Sequence, residues 1–151
     1  MKNQAGIGLV EVMVAVLLLA IGILGFIALQ VRAVEATADS NQQMKAIVIA
    51  RDLAERMRAN PEAVRSGDYA KTTLQGTTAS VTTAKNDLAE IKRQTEKNGM
   101  SLLVSTCPTD IGRQCIYIAW DKTAIDFKSK EQCYQNNKYV SQANCTFLEA
   151  Y

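Results

Sequence analysis

IGLVEVMVAVLLLAIGILGFIAL, Ile7 to Leu29, is an apolar run of 23 residues that holds one charge, Glu11. As an α-helix it would be roughly 34 Å long at about 1.5 Å per residue. The hydrocarbon core of a bilayer is about 30 Å thick, so the run is long enough to cross it. Ahead of it stands a short polar leader, MKNQAG, Met1 to Gly6, with one cation, Lys2. A secretory signal has a shorter apolar region followed by a small-residue cleavage site. Here Leu29 is followed by Gln30, Val31 and Arg32, so the run is expected to stay in the mature chain. Lys2 favours a cytoplasmic leader by the positive-inside rule.

Working outward, residues 30–59 contain neither Gly nor Pro. Val31, Val34, Ala38, Met44, Ile47, Val48, Ala54 and Met57 recur mostly at spacings of three and four, which predicts an amphipathic helix with these residues as its apolar stripe. Arg51 with Glu55 and Asp52 with Arg56 place opposite charges one turn apart, each pair adding about 0.2–0.5 kcal/mol. Asn60-Pro61 is expected to end the helix, because a residue before Pro avoids helical backbone angles. The expectation is one helix of about 52 residues, near 78 Å, apolar all round in its first half and on one face in its second.

Residues 61–82, rich in Thr, Ser, Gly and Ala, read as a loop. A short helix is predicted for residues 84–98, with Gly99 as its stop. The apolar period then changes to two. MSLLVST, Met100 to Thr106, and QCIYIAWD, Gln114 to Asp121, read as strands, with Pro108, Asp110 and Gly112 supplying the turn between them. A third strand fits residues 138–140 or 146–148, and residues 132–144 read as loop. Trp120 falls at a core position. The predicted fold class is α+β: a long N-terminal helix, transmembrane in its first half, packed on a small head with an antiparallel sheet. The segments are leader 1–6, membrane helix 7–29, its amphipathic continuation 30–60 and a globular head 61–151.

Composition excludes several functions. Lys and Arg total 17 against 15 Asp and Glu, for a net charge of +2, without the basic excess of a nucleic-acid binder. The chain has no His, which removes the commonest general base, the usual triad and the commonest metal ligand. No nucleophile motif surrounds any Ser, Asp or Lys, so neither catalysis nor a cofactor is expected. Cys107, Cys115, Cys133 and Cys145 lie 8, 18 and 12 residues apart, without the C-x-x-C knuckle of a zinc site. In an oxidising compartment they read as two disulfides. Three pairings exist, and Cys107–Cys115 with Cys133–Cys145 is preferred because each closes a local loop.

Glu11 needs a reason, since a carboxylate in hydrocarbon costs several kcal/mol unless paired. One reading puts it at the membrane interface. The other starts from its neighbours: a polar leader ending in Gly6, an apolar run beginning at Ile7, and Glu11 inside that run. Cleavage after Gly6 would put a cationic amine on Ile7. That amine and Glu11 could pair between neighbouring chains and fix their register.

At these residues the sequence resembles the type IV pilin family. Gly6, Glu11 and the apolar run match its prepilin motif, in which a membrane peptidase cuts after the Gly and methylates the new terminus. The resemblance implies cleavage between Gly6 and Ile7, N-methylation of Ile7 and an assembly role for Glu11. The stretch from Ile7 to Gln30 and the segment NDLAE, Asn86 to Glu90, look most like PilV-type minor pilins. The chain departs from the family in starting its mature form with Ile7 rather than Phe. It also lacks the Pro that kinks many pilin anchors; Gly22 and Gly25 either loosen the helix or allow close helix packing. The resemblance implies a minor pilin of a type IV pilus, sited in the bacterial inner membrane with a periplasmic head and then in the surface fibre. Its partners would be the prepilin peptidase, other minor pilins and the major pilin, and its role pilus initiation or tip formation, in support of twitching motility. A minor pseudopilin of a type II secretion system shares the same N-terminal logic. A bitopic membrane protein with a sensor head would instead keep its leader.

Overall fold

The structure is a computed structural model that describes residues 8–70, 75–108, 112–125 and 127–150. The leader, Gly6, Ile7 and the turn residue Asp110 lie outside the described residues. The chain divides into two compact units, one up to Ser40 and one from Asn41.

Helix α1, Leu9–Ala59, runs unbroken through Gly22 and Gly25. A Cβ at either glycine would meet, among the described residues, nothing within 4 Å beyond its chain neighbours and the helix's own adjacent backbone. In the first unit every described residue is exposed.

The second unit is built on the last turns of α1. Ala46, Ile49, Ala50, Leu53, Ala54 and Met57 are buried there, at the 3–4 spacing of one helix face. This corrects the predicted stripe. Ala54 and Met57 belong to it, but Val31, Val34 and Ala38 are exposed, and so are Met44 (65%) and Val48 (61%). The buried face is lined with small residues as well as large ones, which lets neighbouring backbone approach. The Asp52–Arg56 pair forms at 3.0 Å. Glu55 is engaged instead by Arg58, one turn further on, at 2.5 Å.

Pro61 begins a helix as well as ending one. It sits in the first turn of α2, Pro61–Ser66, where its missing N–H costs nothing. Gly67, at φ 73°, closes α2 in the left-handed conformation, with its N–H on the Val64 carbonyl at 3.0 Å. The predicted loop 61–82 is thus partly helical at both ends. Helix α3, Thr78–Lys97, begins six residues earlier than expected, capped by the Thr77 side chain accepting from Ser80 N–H. Gly99, at φ 67°, ends it as predicted.

Strands β1, Met100–Thr106, and β2, Gln114–Trp120, pair antiparallel from Met100 opposite Trp120 to Thr106 opposite Gln114. After β2 comes the short helix α4, Asp121–Ile125. Both candidate third strands exist. Strands β3, Tyr134–Gln135, and β4, Lys138–Tyr139, form a small hairpin inside the predicted loop. Strand β5, Cys145–Glu149, joins the main sheet beside β2, giving the order β1-β2-β5. The hairpin turn is Asn136-Asn137, both at positive φ, as a two-residue turn requires.

The central strand explains the continuous apolar run at its core. Ile116, Ile118 and Trp120 face the helices and share a core with Leu53, Met57, Ile91, Met100 and Val104. Tyr117, Ala119 and Cys115 face the other way, against Cys133, Cys145, Phe127 and Phe147. Every residue of β2 is therefore buried, and Trp120 is a core residue as expected.

Candidate assembly site

Glu11 lies in the first turn of α1, and its backbone N–H bonds the Gly8 carbonyl at 3.0 Å. A carboxylate there faces the positive end of the helix dipole. Its surroundings are apolar: Glu11, Val12, Ala15, Val16 and Leu19 line one shallow groove along a single helix face. Glu11 is the only charged side chain among described residues before Arg32. The large apolar residues from Leu9, 77% exposed, to Leu29 are exposed rather than covered by other described residues. The helix carries an 18-residue window apolar enough to cross a membrane, none of it buried. A helix apolar all round needs lipid or other helices to cover it. The arrangement supplies a lone acceptor on an apolar rod, fit to take a cation from a neighbour. Gly6 and Ile7, the other two expected site residues, lie outside the described residues.

The four cysteines are joined as Cys107–Cys115 and Cys133–Cys145, with Cα atoms 4.9 and 5.8 Å apart. That leaves no thiolate to bind zinc. Among the described residues no cluster of His, Cys, Asp or Glu is arranged to hold a metal ion.

Sequence reasoning passed over the polar cluster that locks the base of the head. Arg56 bridges Asp52 and Asp87, the latter at 3.4 Å. Asp52, first, and then Asp87 stabilise the charged guanidinium and raise its pKa. Tyr69 donates to the second oxygen of Asp87 at 2.8 Å, and burial followed by that bond pushes the phenol well above its usual range. The buried Asn60 amide donates to the Ser80 carbonyl at 2.9 Å. The one available signal was the Asp52–Arg56 spacing; Tyr69 and Asp87 are distant in sequence and meet only through the fold.

Residues 1–27 match the Prokaryotic N-terminal methylation motif, and residues 28–101 match the family Type IV pilin Tt1218. The two matches abut and end just inside β1, so β2, β5 and both disulfides fall beyond them. No curated protein and no solved structure matches the chain.

Proposed function

This chain belongs to the type IV pilin family, and we propose that it serves there as a minor subunit that helps to start or tip a type IV pilus. The family is structural rather than enzymatic, and its members assemble into a pilus or pseudopilus. The finer reading is of PilV type. The prepilin peptidase cuts between Gly6 and Ile7 and methylates the Ile7 amine. The head is periplasmic while α1 is held in the inner membrane. On extraction into the fibre, α1 meets the helices of other minor pilins and of the major pilin.

The observation that carries this reading is the isolation of Glu11 in the otherwise apolar stretch of α1 before Arg32. Side by side, such helices have little to set their longitudinal register, because apolar contacts are non-directional. One pair between Glu11 and the Ile7 amine of a neighbour sets it. Few copies suffice if the subunit lowers the barrier to the first extractions. Mature Ile7 in place of the family's Phe, and an anchor without the family's Pro, fit a helix not tuned to repeat against copies of itself. The test is deletion with quantitative mass spectrometry of sheared fibres. Surface fibres should fall strongly while the major subunit accumulates in the membrane. Finding this chain as the dominant fibre protein would make it a major pilin instead.

A further inference from the structure

Over residues 12–31 helix α1 is unbroken and uncharged, and a charge stands at each end of that stretch: Glu11 before it and Arg32 after it. Gln30, next to the Arg32 end, is its one polar side chain. The stretch has 20 residues, which at about 1.5 Å each make about 30 Å of helix. That is about the thickness of a bilayer's hydrocarbon core. A helix of this length crosses the core upright, with one charge in each headgroup layer. One turn more would force a tilt, and one turn less would draw a charge into hydrocarbon.

The Arg32 side chain is 83% exposed, and its Nη1 donates to Glu35 at 3.1 Å, one turn further from the apolar stretch. An exposed pair on one helix holds weakly. A guanidinium also carries five N–H donors, so one bond to Glu35 leaves others for a second acceptor. At the edge of the hydrocarbon that acceptor is lipid phosphate, whose oxygens match the planar fork of an arginine. The methylene stem of the same side chain can lie along the apolar helix while its head stays in the headgroup layer.

We propose that Arg32 binds lipid phosphate in the leaflet opposite Glu11, and that the two charges together fix the depth and tilt of α1 in the membrane. The proposal rests on the membrane-held state described above, not on whether the subunit is minor or major. Glu11 then stands at the interface while the subunit waits in the membrane, and meets a neighbour's amine in the fibre. Its two readings are two stages of one path. Extraction lifts Arg32 off its phosphate and draws Glu11 into hydrocarbon, so both charges retain the subunit until a neighbour pairs with Glu11.

The test is solid-state NMR of the full chain in aligned dioleoylphosphatidylcholine bilayers, in buffer free of phosphate so that lipid is its only source. Backbone 15N signals report the tilt of α1, and dephasing of arginine side-chain 15N signals by 31P reports contact with lipid phosphate. The wild-type helix should tilt by no more than about 20°. Arg32→Leu extends the uncharged stretch to residues 12–34, with Glu35 next. That makes about 34 Å of helix, so the tilt should rise to about 30°. One arginine signal should be dephased in the wild type and absent from Arg32→Leu. Arg32→Lys keeps a charged donor and should keep the wild-type tilt. An unchanged tilt in Arg32→Leu, a dephased signal that survives that substitution, or a raised tilt in Arg32→Lys would overturn this proposal alone. A chain that stays out of the bilayer would overturn it together with the membrane anchor.

Discussion

The Asp68 carboxylate, fully buried, accepts a hydrogen bond from the backbone N–H of Gly76 at 2.9 Å. Gln75 N–H reaches the other oxygen at 2.5 Å, so one side chain clasps both ends of the α2–α3 connection. A Cβ on Gly76 would stand 2.5 Å from Asp68 Oδ2 and 2.6 Å from Ser80 Oγ, so the ends of two buried side chains would have to shift. Gly76→Ala is therefore expected to cost about 1–3 kcal/mol through overpacking. Asp68→Ala should cost a similar amount, about 1–3 kcal/mol, by stranding two N–H groups. Urea unfolding of the full chain in micelles measures both; an unchanged midpoint in Gly76→Ala would show that the clasp yields freely.

The two faces of α1 beyond Asn41 should respond oppositely to substitution. Leu53 is fully buried against the sheet, and Leu53→Ala is expected to cost about 2–5 kcal/mol. Val48 is exposed, and Val48→Ser should change head stability by no more than about 0.5 kcal/mol. Because Val48 is left for other helices to cover, the same variant should instead lower incorporation into fibres. Equal losses of stability in both variants would put Val48 in the core after all.

Tyr117 gives the head an alkaline limit. Burial, and then the negative charge of Glu131, push its phenol up to about 12, and its hydroxyl donates to the Thr106 carbonyl at 3.1 Å. The unfolded phenol titrates near its ordinary value of about 10. The folded state therefore holds the proton more tightly. The stability this contributes is intact below the unfolded value and is lost as pH rises toward the folded one. Tyr69 shifts in the same direction. Unfolding free energies should fall between about pH 10 and 12, and Tyr117→Phe should make that fall shallower while lowering stability at pH 8. An equally steep decline in Tyr117→Phe would remove Tyr117 as a cause.

Each disulfide closes a short loop, 8 residues for Cys107–Cys115 and 12 for Cys133–Cys145. Each should add up to about 3 kcal/mol by restricting the unfolded chain. Reduction should lower the melting temperature markedly, since a head this small has a limited core. Peptide mapping without reduction is expected to recover only these two pairings. A Cys107–Cys145 peptide would contradict the strand turn that holds Cys107 beside Cys115.

Much of this was legible before the structure, for reasons that can be named. The strands predicted at Met100–Thr106 and Gln114–Asp121, set off by Gly99 and a turn, are β1 and β2, except that Asp121 opens α4 instead. The absence of Gly and Pro after Gln30 signalled a continuous α1. Pro61 was read only as a stop, whereas a proline serves equally well in the first turn of the next helix, which hid α2. The start of α3, with Thr78, Ser80, Val81, Thr82 and Thr83, has weak helical propensity and is held by the Thr77 cap. The buried face of α1 was missed in part because hydropathy ranks Met44 and Val48 above Ala46 and Ala50. Close approach of packed elements favours the alanines, and the larger residues remain on the outside. Glu11 stood out from the start, because a single charge in an apolar run is conspicuous without any fold. The Tyr69–Asp87 pair was not legible, because only tertiary packing brings residues 18 positions apart on different elements into contact.

The pairing role proposed for Glu11 can be separated from membrane insertion. Glu11→Val leaves the first part of α1, Leu9 to Gln30, without a charge, so insertion should persist, and cleavage after Gly6 should largely persist with it. Incorporation into sheared fibres should drop sharply, since an unpaired buried amine on the neighbour would cost about 3–5 kcal/mol. Wild-type amounts of Glu11→Val in fibres would assign the carboxylate to the membrane interface instead.

The Ile7 amine, and the pairing with Glu11 proposed for the fibre, both require that the leader be removed. Intact-mass measurement of the chain purified from membranes of cells with an active prepilin peptidase tests that removal most directly. The mass expected is that of a chain beginning at Ile7, lacking MKNQAG and carrying one added methyl group. A full-length chain still beginning at Met1 in those cells would contradict it, and would make the protein a bitopic membrane protein that keeps its leader.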